Sequence, residues 1–204
     1  KYVLKHPGIW IIAISSAFIY ITKYAIAGWG VLFLQKARGF SLEEATQIIA
    51  FSAAFGIVGT VLAGWLSDKV FNSDRVRPAI LSGIVSFIAL ALFLFAGGGY
   101  LMNIFYVSLF SLAVGVLYCI VAGLMAVDIV PRKATGAALG VVGISSYIAA
   151  GLQDITSGYL IQFNTQNING TDVYDFGPVS WFWLAAALVS FILPVLNWKK
   201  MKNA

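Results

Sequence analysis

The stretch FIYITKYAIAGWG, residues 18–30, is a run of aliphatic and aromatic side chains that contains a single charge, Lys23. The nearest charged residues are Lys5 before it and Lys36 after it. A helix of about 20 apolar residues spans the roughly 30 Å hydrocarbon core of a bilayer. The stretch therefore predicts a transmembrane helix that holds one lysine near its middle.

The composition of the whole chain extends this prediction. Of its 204 residues, 60% are hydrophobic and 10% are charged, whereas a soluble domain has roughly 25% charged residues. The apolar residues form long blocks rather than a half-buried helical pattern, which indicates a protein whose solvent is lipid. The single cysteine, Cys119, excludes a disulfide framework within the chain.

Charged or polar connections divide the chain into six apolar spans. Backbone groups in lipid must be hydrogen-bonded within their own segment, so spans of this kind are helices. Ser41 and Glu44 have the spacing of a capping box at the start of the second span. We therefore predict an all-α membrane protein with six transmembrane helices, at about residues 7–34, 42–66, 79–96, 101–130, 134–163 and 179–198.

Small residues recur at intervals of four in three of these spans. Such faces allow two helices to approach closely within a membrane. The predicted contact faces are Gly56, Thr60 and Gly64 in the second span, Gly115, Cys119 and Gly123 in the fourth, and Gly136 with Gly140 in the fifth.

Basic residues are distributed unequally between the two sides that the spans define. One side has only Lys36 and Arg38, and the other has ten: Lys1, Lys5, Lys69, Arg75, Arg77, Arg132, Lys133, Lys199, Lys200 and Lys202. Because basic connections stay in the cytoplasm, both termini are predicted to be cytoplasmic. The net charge of +5 is thus assigned to membrane orientation and not to a nucleic-acid partner. We also expect the first span to be a retained helix rather than a cleaved leader, and the chain to be a piece of a longer protein.

The connection GWLSDKVFNSDRVRP, residues 64–78, is a candidate gating loop. Gly64, Asp68 and Lys69 close the second span, and Arg75 and Arg77 precede the third. Asp68 can accept hydrogen bonds at the start of the next helix, or pair with one of the arginines. Such a charged clasp can hold one conformation and release another. The alternative is a solvated turn that only obeys the positive-inside rule.

This loop resembles the signature loop of the major facilitator superfamily, in the copy within its second half. The first span, FIYITKYAIAGWGVLFL, is similar to the seventh helix of the organophosphate–phosphate antiporters. That group includes the bacterial glycerol-3-phosphate and hexose-phosphate transporters and the related hexose-phosphate sensor. The matching positions are Tyr20, the cation at Lys23, Tyr24 and Trp29. Residues 127–140, VDIVPRKATGAALG, resemble the turn between the tenth and eleventh helices of the family.

The resemblance implies the C-terminal half of a twelve-helix transporter of the bacterial inner membrane, built as two inverted three-helix units. Its implied partners are the lipid bilayer, an N-terminal six-helix half that this sequence lacks, and a small anionic substrate. The implied activity is exchange of an organic phosphate for inorganic phosphate. Two features depart from the family, since Lys23 stands where it has arginine, and Leu117 and Tyr118 stand where it has a Gly-Pro pair.

A candidate substrate site surrounds Lys23. Tyr20, Lys23 and Tyr24 share one helical face, and a cation at this depth is costly unless it faces water, substrate or a counter-ion. Asp154 is the one acidic residue well inside another span, and the resemblance implies that both spans line the cavity. We expect Lys23 to bind the substrate anion, with Asp154 as its resting counter-ion. The alternative is a permanent structural ion pair. The predicted substrate-binding residues are Lys23, Tyr20, Tyr24, Tyr118, Tyr147, Gln153 and Asp154.

The sequence is also compatible with functions other than exchange. A sensor of the same family would bind sugar phosphate without transporting it, and a symporter of a sugar or organic anion would use Lys23 with Asp154 for proton coupling. A channel is disfavoured because no ring of polar residues repeats along the spans. The single histidine, His6, has no companions for a metal site or a catalytic triad. We therefore expect no enzyme activity, no cofactor and no metal.

Overall fold

Six long helices form the computed structural model, which describes residues 2–168 and 170–202. All six are long and apolar enough to cross a membrane, as the sequence predicted. The helices are α1 (Pro7–Arg38), α2 (Leu42–Trp65), α3 (Val76–Ala91), α4 (Tyr100–Tyr118), α5 (Thr135–Phe163) and α6 (Gly177–Lys202). Short helical segments at Tyr2–Lys5, Ala126–Asp128 and Arg132–Ala134 flank α1, α4 and α5.

Three of the long helices end in π-helical turns. These segments are Leu66–Val70 after α2, Leu92–Ala96 after α3 and Cys119–Met125 after α4. The last lies inside the fourth predicted span, directly after Leu117 and Tyr118. Since π-turns shift the helical register, they re-aim the residues that follow them.

Helix α1 is longer than predicted because its end is set by one glycine. The helix continues through residue 38, and Gly39 then adopts a left-handed conformation with φ 74°. Glycine is the usual residue for such a C-cap. The charged residues before it do not break the helix. Arg38 donates from its Nη2 to the carbonyl oxygens of Phe93 (3.2 Å) and Leu94 (3.0 Å), which satisfies part of the π-helical end after α3.

The start of α2 agrees with the prediction. The Ser41 Oγ accepts a hydrogen bond from the backbone N–H of Glu44 at 3.2 Å, and the Glu44 carboxylate accepts one from the Ser41 backbone at 2.9 Å. This reciprocal capping box satisfies two N–H groups that the first helical turn leaves without partners.

The predicted polar loop between the last two spans contains a β-hairpin. Strand β1 (Thr165–Ile168) pairs antiparallel with β2 (Thr171–Tyr174), with Thr165 opposite Tyr174. The Asn167 amide donates to the Asp172 carboxylate at 2.8 Å, and Gly170 turns the chain with φ 81°. An open two-stranded edge is tolerated here because the connection is polar and lies between two spans.

The six helices pack mainly through α1 and α4. Helix α1 lies against α5 and α6, α2 lies against α4, and α3 lies against both α4 and α6. Trp183, Phe93 and Phe110 are among the largest fully buried side chains. Helices α2 and α5 are the least buried of the spans, at 22% and 28% of their apolar windows. Both therefore present long apolar faces to lipid or to further helices.

The closest helix contact is between α2 and α4. A Cβ built on Gly59 would overlap the carbonyl oxygen of Leu112, and one on Gly115 would lie 2.5 Å from the carbonyl oxygen of Gly56. Close approach thus occurs between two of the three spans with predicted contact faces. Gly56, Thr60 and Gly115 take part as predicted, whereas Gly59, which was not predicted, makes the tightest contact of α2. Nothing lies within 4 Å of the positions that a Cβ would take at Gly64, Gly123, Gly136 or Gly140.

Candidate functional site

Lys23 lies among tyrosine rings that three helices bring together. Its Nζ is 5.6 Å from the ring centroid of Tyr20, 5.9 Å from that of Tyr24 and 5.5 Å from that of Tyr118. The lysine itself is exposed at the open side of the helix bundle. Three aromatic faces within about 6 Å stabilise an ammonium group by cation–π attraction.

The tyrosines also contact one another. The Tyr20 ring is the centre of this cluster, at 5.5 Å from Tyr24, 5.4 Å from Tyr118 and 5.3 Å from Tyr147. The Tyr20 hydroxyl donates to the Tyr118 hydroxyl at 3.1 Å. The structure therefore places Tyr20, Lys23, Tyr24, Tyr118 and Tyr147 in one group, which we call the tyrosine cluster.

The expected resting ion pair between Lys23 and Asp154 is absent. Within residues 2–168 and 170–202, the ion pairs are Arg75–Asp68, Arg75–Asp128 and Arg77–Asp74. Asp154 lies beside Gly28, where a Cβ would be 3.5 Å from its Oδ1. Gly28 is five positions beyond Lys23, or about 7.5 Å along the helix axis. This conformation therefore lacks the predicted ion pair, and the role of Asp154 at the substrate site stays a prediction.

Gln153 also lies apart from the cluster. Its side chain is 1% exposed and donates to the Ser157 Oγ at 2.9 Å. The Trp183 indole donates to the same oxygen at 2.9 Å. Consecutive residues on a helix point about 100° apart, so Gln153 turns toward α6 while its exposed neighbour Asp154 does not. Its Oε1 is buried and has no hydrogen-bond partner among the described residues, and the assignment of Gln153 as a substrate-binding residue stays a prediction.

A cavity of about 340 Å³ opens beside Lys23, between α1, α2 and α4. Its walls are mainly apolar and include the hydroxyl groups of Ser52, Thr60, Ser111 and Tyr118. Sequence reasoning missed the first three. The sequence does show hydroxyl residues inside apolar spans. This signal does not identify a ligand site, because many such hydroxyls only bond to their own helix. A cavity with one cation, a few hydroxyls and apolar walls can bind a small anion that carries an organic group.

The candidate gating loop forms an ionic cluster around Arg75. Its Nη1 donates to the Asp68 Oδ1 at 2.8 Å and to the Ser67 Oγ at 2.6 Å, and its Nε donates to the Asp128 Oδ2 at 3.0 Å. The predicted pairing of Asp68 with an arginine of the loop is confirmed, with Arg75. Asp128, which lies 53 positions along the chain from Arg75, was not predicted. The cluster ties the end of the second span and the end of the fourth to the loop before α3.

The other charges of the loop contribute less. Arg77 pairs with Asp74 at 3.2 Å, and its side chain is 73% exposed. Partial burial lowers the pKa of Arg75, but the hydrogen bonds to both carboxylates outweigh it and leave that pKa above its ordinary value. The guanidinium therefore stays charged across the physiological pH range, and deprotonation of Arg75 cannot open the ionic cluster.

Replacing Arg75 with glutamine should lower the stability of the folded protein by about 1–2 kcal/mol, because three charge-assisted bonds made by a largely buried guanidinium are lost. Arg77→Gln removes the same charge from the same loop. It should cost less than about 0.5 kcal/mol, since its pair is exposed. Apparent melting temperatures in detergent test both, and equal shifts for the two variants would contradict a special role for Arg75.

An array of six apolar helices that holds a cation beside an open cavity is the architecture of a polytopic membrane transport protein. The sequence profile of the Major Facilitator Superfamily matches residues 1–153. The chain belongs to the Major Facilitator Superfamily. The family is one of transport proteins and not of enzymes.

Several curated proteins are similar to the chain. A glycerol-3-phosphate transporter of Bacillus subtilis is 30% identical over 207 residues, which covers 100% of this chain and 44% of that protein. A hexose-6-phosphate:phosphate antiporter of Escherichia coli is 35% identical over 153 residues, covering 72% of this chain and 31% of that protein. The membrane sensor protein UhpC of Escherichia coli is 31% identical over 157 residues, covering 74% of this chain and 35% of that protein. The chain thus spans less than half the length of these relatives.

A solved structure shows the same fold. The inward-facing, unoccupied structure of a bacterial homologue of the human lysosomal transporter Spinster superposes with a TM-score of 0.64. The identity is 20%, and the match covers 97% of this chain and 46% of that one. This likeness supports the helix arrangement.

Proposed function

We propose that the chain is the C-terminal six-helix half of a secondary transporter that exchanges a small organic phosphate for inorganic phosphate. The observation that carries the proposal is the Lys23 ammonium, which stands at an open cavity, ringed by tyrosines, without an ion pair among the described residues. A cation in this setting is available to a substrate anion. The relatives that transport glycerol 3-phosphate and hexose 6-phosphate supply the substrate class.

The energetics favour a functional lysine. A lysine at the centre of a membrane helix costs about 2.5–3.5 kcal/mol on insertion scales. Cation–π contacts return about 0.5–1 kcal/mol at exposed positions and about 2 kcal/mol when desolvated. The tyrosine cluster thus offsets part of the cost, and a bound anion would supply the remainder. Lysine binds phosphate as a point charge, whereas arginine binds it through two parallel hydrogen bonds.

The proposed mechanism is alternating access around this site. The exposed faces of α2 and α5 would meet the other six helices, so the site would be completed between two halves. The ionic cluster of Arg75 would hold the helix ends in one state and release them in the other. Rocking of the halves would carry the anion bound at Lys23 across the membrane.

The proposed orientation has both termini in the cytoplasm, on the same side as the ionic cluster. It rests on the ten-to-two division of basic residues. A cysteine at Ser73 should react with an impermeant reagent from the cytoplasmic side only. Reaction from the outer side would show that the topology is the reverse of the proposed one.

Counterflow in liposomes tests the proposed function. The full-length protein, in vesicles loaded with inorganic phosphate, should take up labelled glycerol 3-phosphate or hexose 6-phosphate only when phosphate is inside. Uptake driven by a pH gradient, without internal phosphate, would indicate proton coupling instead of exchange. Binding without uptake would indicate a sensor. The 204-residue chain alone should catalyse no saturable counterflow, and robust counterflow by it would refute the half-transporter.

A further inference from the structure

Two serines in the cavity wall have hydroxyl groups with no hydrogen-bond partner among the described residues. Ser52 of α2 and Ser111 of α4 both line the cavity beside Lys23, and neither donates to a carbonyl of its own helix. Several other serines in the spans do so, although the buried Ser108 hydroxyl, which does not line the cavity, also has no partner among the described residues. Ser82 donates to the Pro78 oxygen at 2.7 Å, and Ser86 donates to the Gly83 oxygen at 2.8 Å.

The difference matters because a hydroxyl in an apolar span is costly unless it is bonded. Ser52 is 6% exposed, so bulk solvent does not surround it. Its place in the cavity wall leaves a bonding position for a ligand group. Thr60 adds a third hydroxyl, which donates to the Ile57 oxygen at 2.7 Å and can still accept one hydrogen bond.

We propose that this cavity binds the organic part of the substrate and that Ser52 and Ser111 are specificity-determining residues. Their hydroxyls bond to hydroxyl groups of a short polyhydroxylated phosphate ester, while Lys23 holds its phosphate. Ile26, Phe110 and Val114 supply apolar wall for the C–H groups of the same ligand. The inference rests on the proposed function, since it divides one site into a phosphate position and an organic position.

The size and chemistry of the cavity define the ligand class. A volume of about 340 Å³ is near the lower end of ligand pockets, which run from about 300 to 1,000 Å³. Because the other half would complete the site, this volume applies only to the part of the ligand that lies against this half, and it suits a short carbon chain. Inorganic phosphate has no organic group, so it would occupy the Lys23 position and leave the two serines unused. The serines would therefore decide how strongly the ester is preferred over inorganic phosphate.

The test compares glycerol 3-phosphate with inorganic phosphate in the full-length protein. In the double variant Ser52→Ala with Ser111→Ala, the ratio of the KM for glycerol 3-phosphate to the KM for phosphate should rise about tenfold or more, because a site loses much of its preference when its hydrogen bonds to a ligand hydroxyl are removed. The matched control is Ser86→Ala, which removes a serine hydroxyl from α3 outside the cavity and should leave the ratio unchanged.

Ligand-induced thermal stabilisation by the same two compounds gives a second readout, which does not need transport. An unchanged ratio of ester to phosphate affinity in the double variant, with exchange intact, would overturn this inference and leave the proposed function standing. A wild-type protein that is neither stabilised by nor exchanges either compound would overturn both. A Ser86→Ala ratio that rises as far as that of the double variant would also overturn the assignment of the cavity.

Discussion

Gly59→Ala should prevent α2 and α4 from packing as they do, and we expect little or no folded protein from it. The added Cβ would overlap the Leu112 carbonyl oxygen and would lie 2.9 Å from its carbon and 3.0 Å from its Cα. These are backbone atoms, which cannot move aside as the end of a side chain can. The helices would have to separate, at a cost above about 3 kcal/mol. The measurement is the yield of monodisperse protein and its melting temperature in detergent.

Gly56→Ala is the matched control for this change. Gly56 lies one turn earlier on the same helix and faces the same partner, but its Cβ would be 3.8 Å from the Ser111 oxygen, an ordinary contact. Alanine also favours the helix over glycine by about 0.5–1 kcal/mol. We expect this variant to melt at or slightly above the wild-type temperature. Similar melting temperatures for the two variants would show that the α2–α4 contact is looser than the structure has it.

The spacing of small residues predicted part of the close helix contact, since Gly56, Thr60 and Gly115 take part in it, but it also marked Gly64, Gly123, Gly136 and Gly140, which have nothing close to them. Gly56, Thr60 and Gly64 repeat every four positions in the sequence, yet the tightest contact of α2 is made by Gly59. The face that a helix turns to its neighbour depends on the crossing angle and on the register of both helices. A pattern within one helix contains neither quantity.

The six spans were predictable because the bilayer fixes their length and forbids unpaired backbone groups. The residues at which the spans end were less predictable. Arg38 remains helical because Gly39 provides a left-handed cap, and no hydropathy signal reports that geometry. The β-hairpin was missed because it is accompanied by contacts between residues far apart in the sequence, which a local sequence pattern does not report. One of them joins the Lys36 ammonium to the Tyr174 ring, whose centroid is 5.5 Å away.

At the site, the helical face of α1 was predictable and the partners from other helices were only partly so. Tyr118 and Tyr147, which were among the predicted substrate-binding residues, lie against Tyr20 in the structure. Asp154 was assigned to Lys23 because it is the acidic residue well inside another span, but charge alone does not fix the height of one helix against its neighbour. That offset separates the two groups along α1. The aromatic rings, not the carboxylate, surround the ammonium.

Lys23→Ala should abolish exchange in the full-length protein while leaving its fold nearly intact. Removing a cation that bonds to phosphate costs about 2–5 kcal/mol of binding, so kcat/KM should fall by a factor of about 30 or more. The melting temperature should change little, because Asp154 is exposed and has no ion pair to lose. Counterflow and thermal unfolding, measured on the same preparation, separate the two effects. A large loss of stability would point to a structural role for the lysine.

Three further variants isolate the role of the charge. Lys23→Arg should retain binding, because a guanidinium also bonds to phosphate. Lys36→Ala removes a cation that also stacks on a tyrosine, at the end of α1, and should leave exchange unchanged. The deciding variant combines Lys23→Ala with Asp154→Ala. If Lys23 only balanced the carboxylate, removing both would restore exchange. If Lys23 binds the substrate anion, the double variant should stay as inactive as Lys23→Ala, and restored exchange would refute the site.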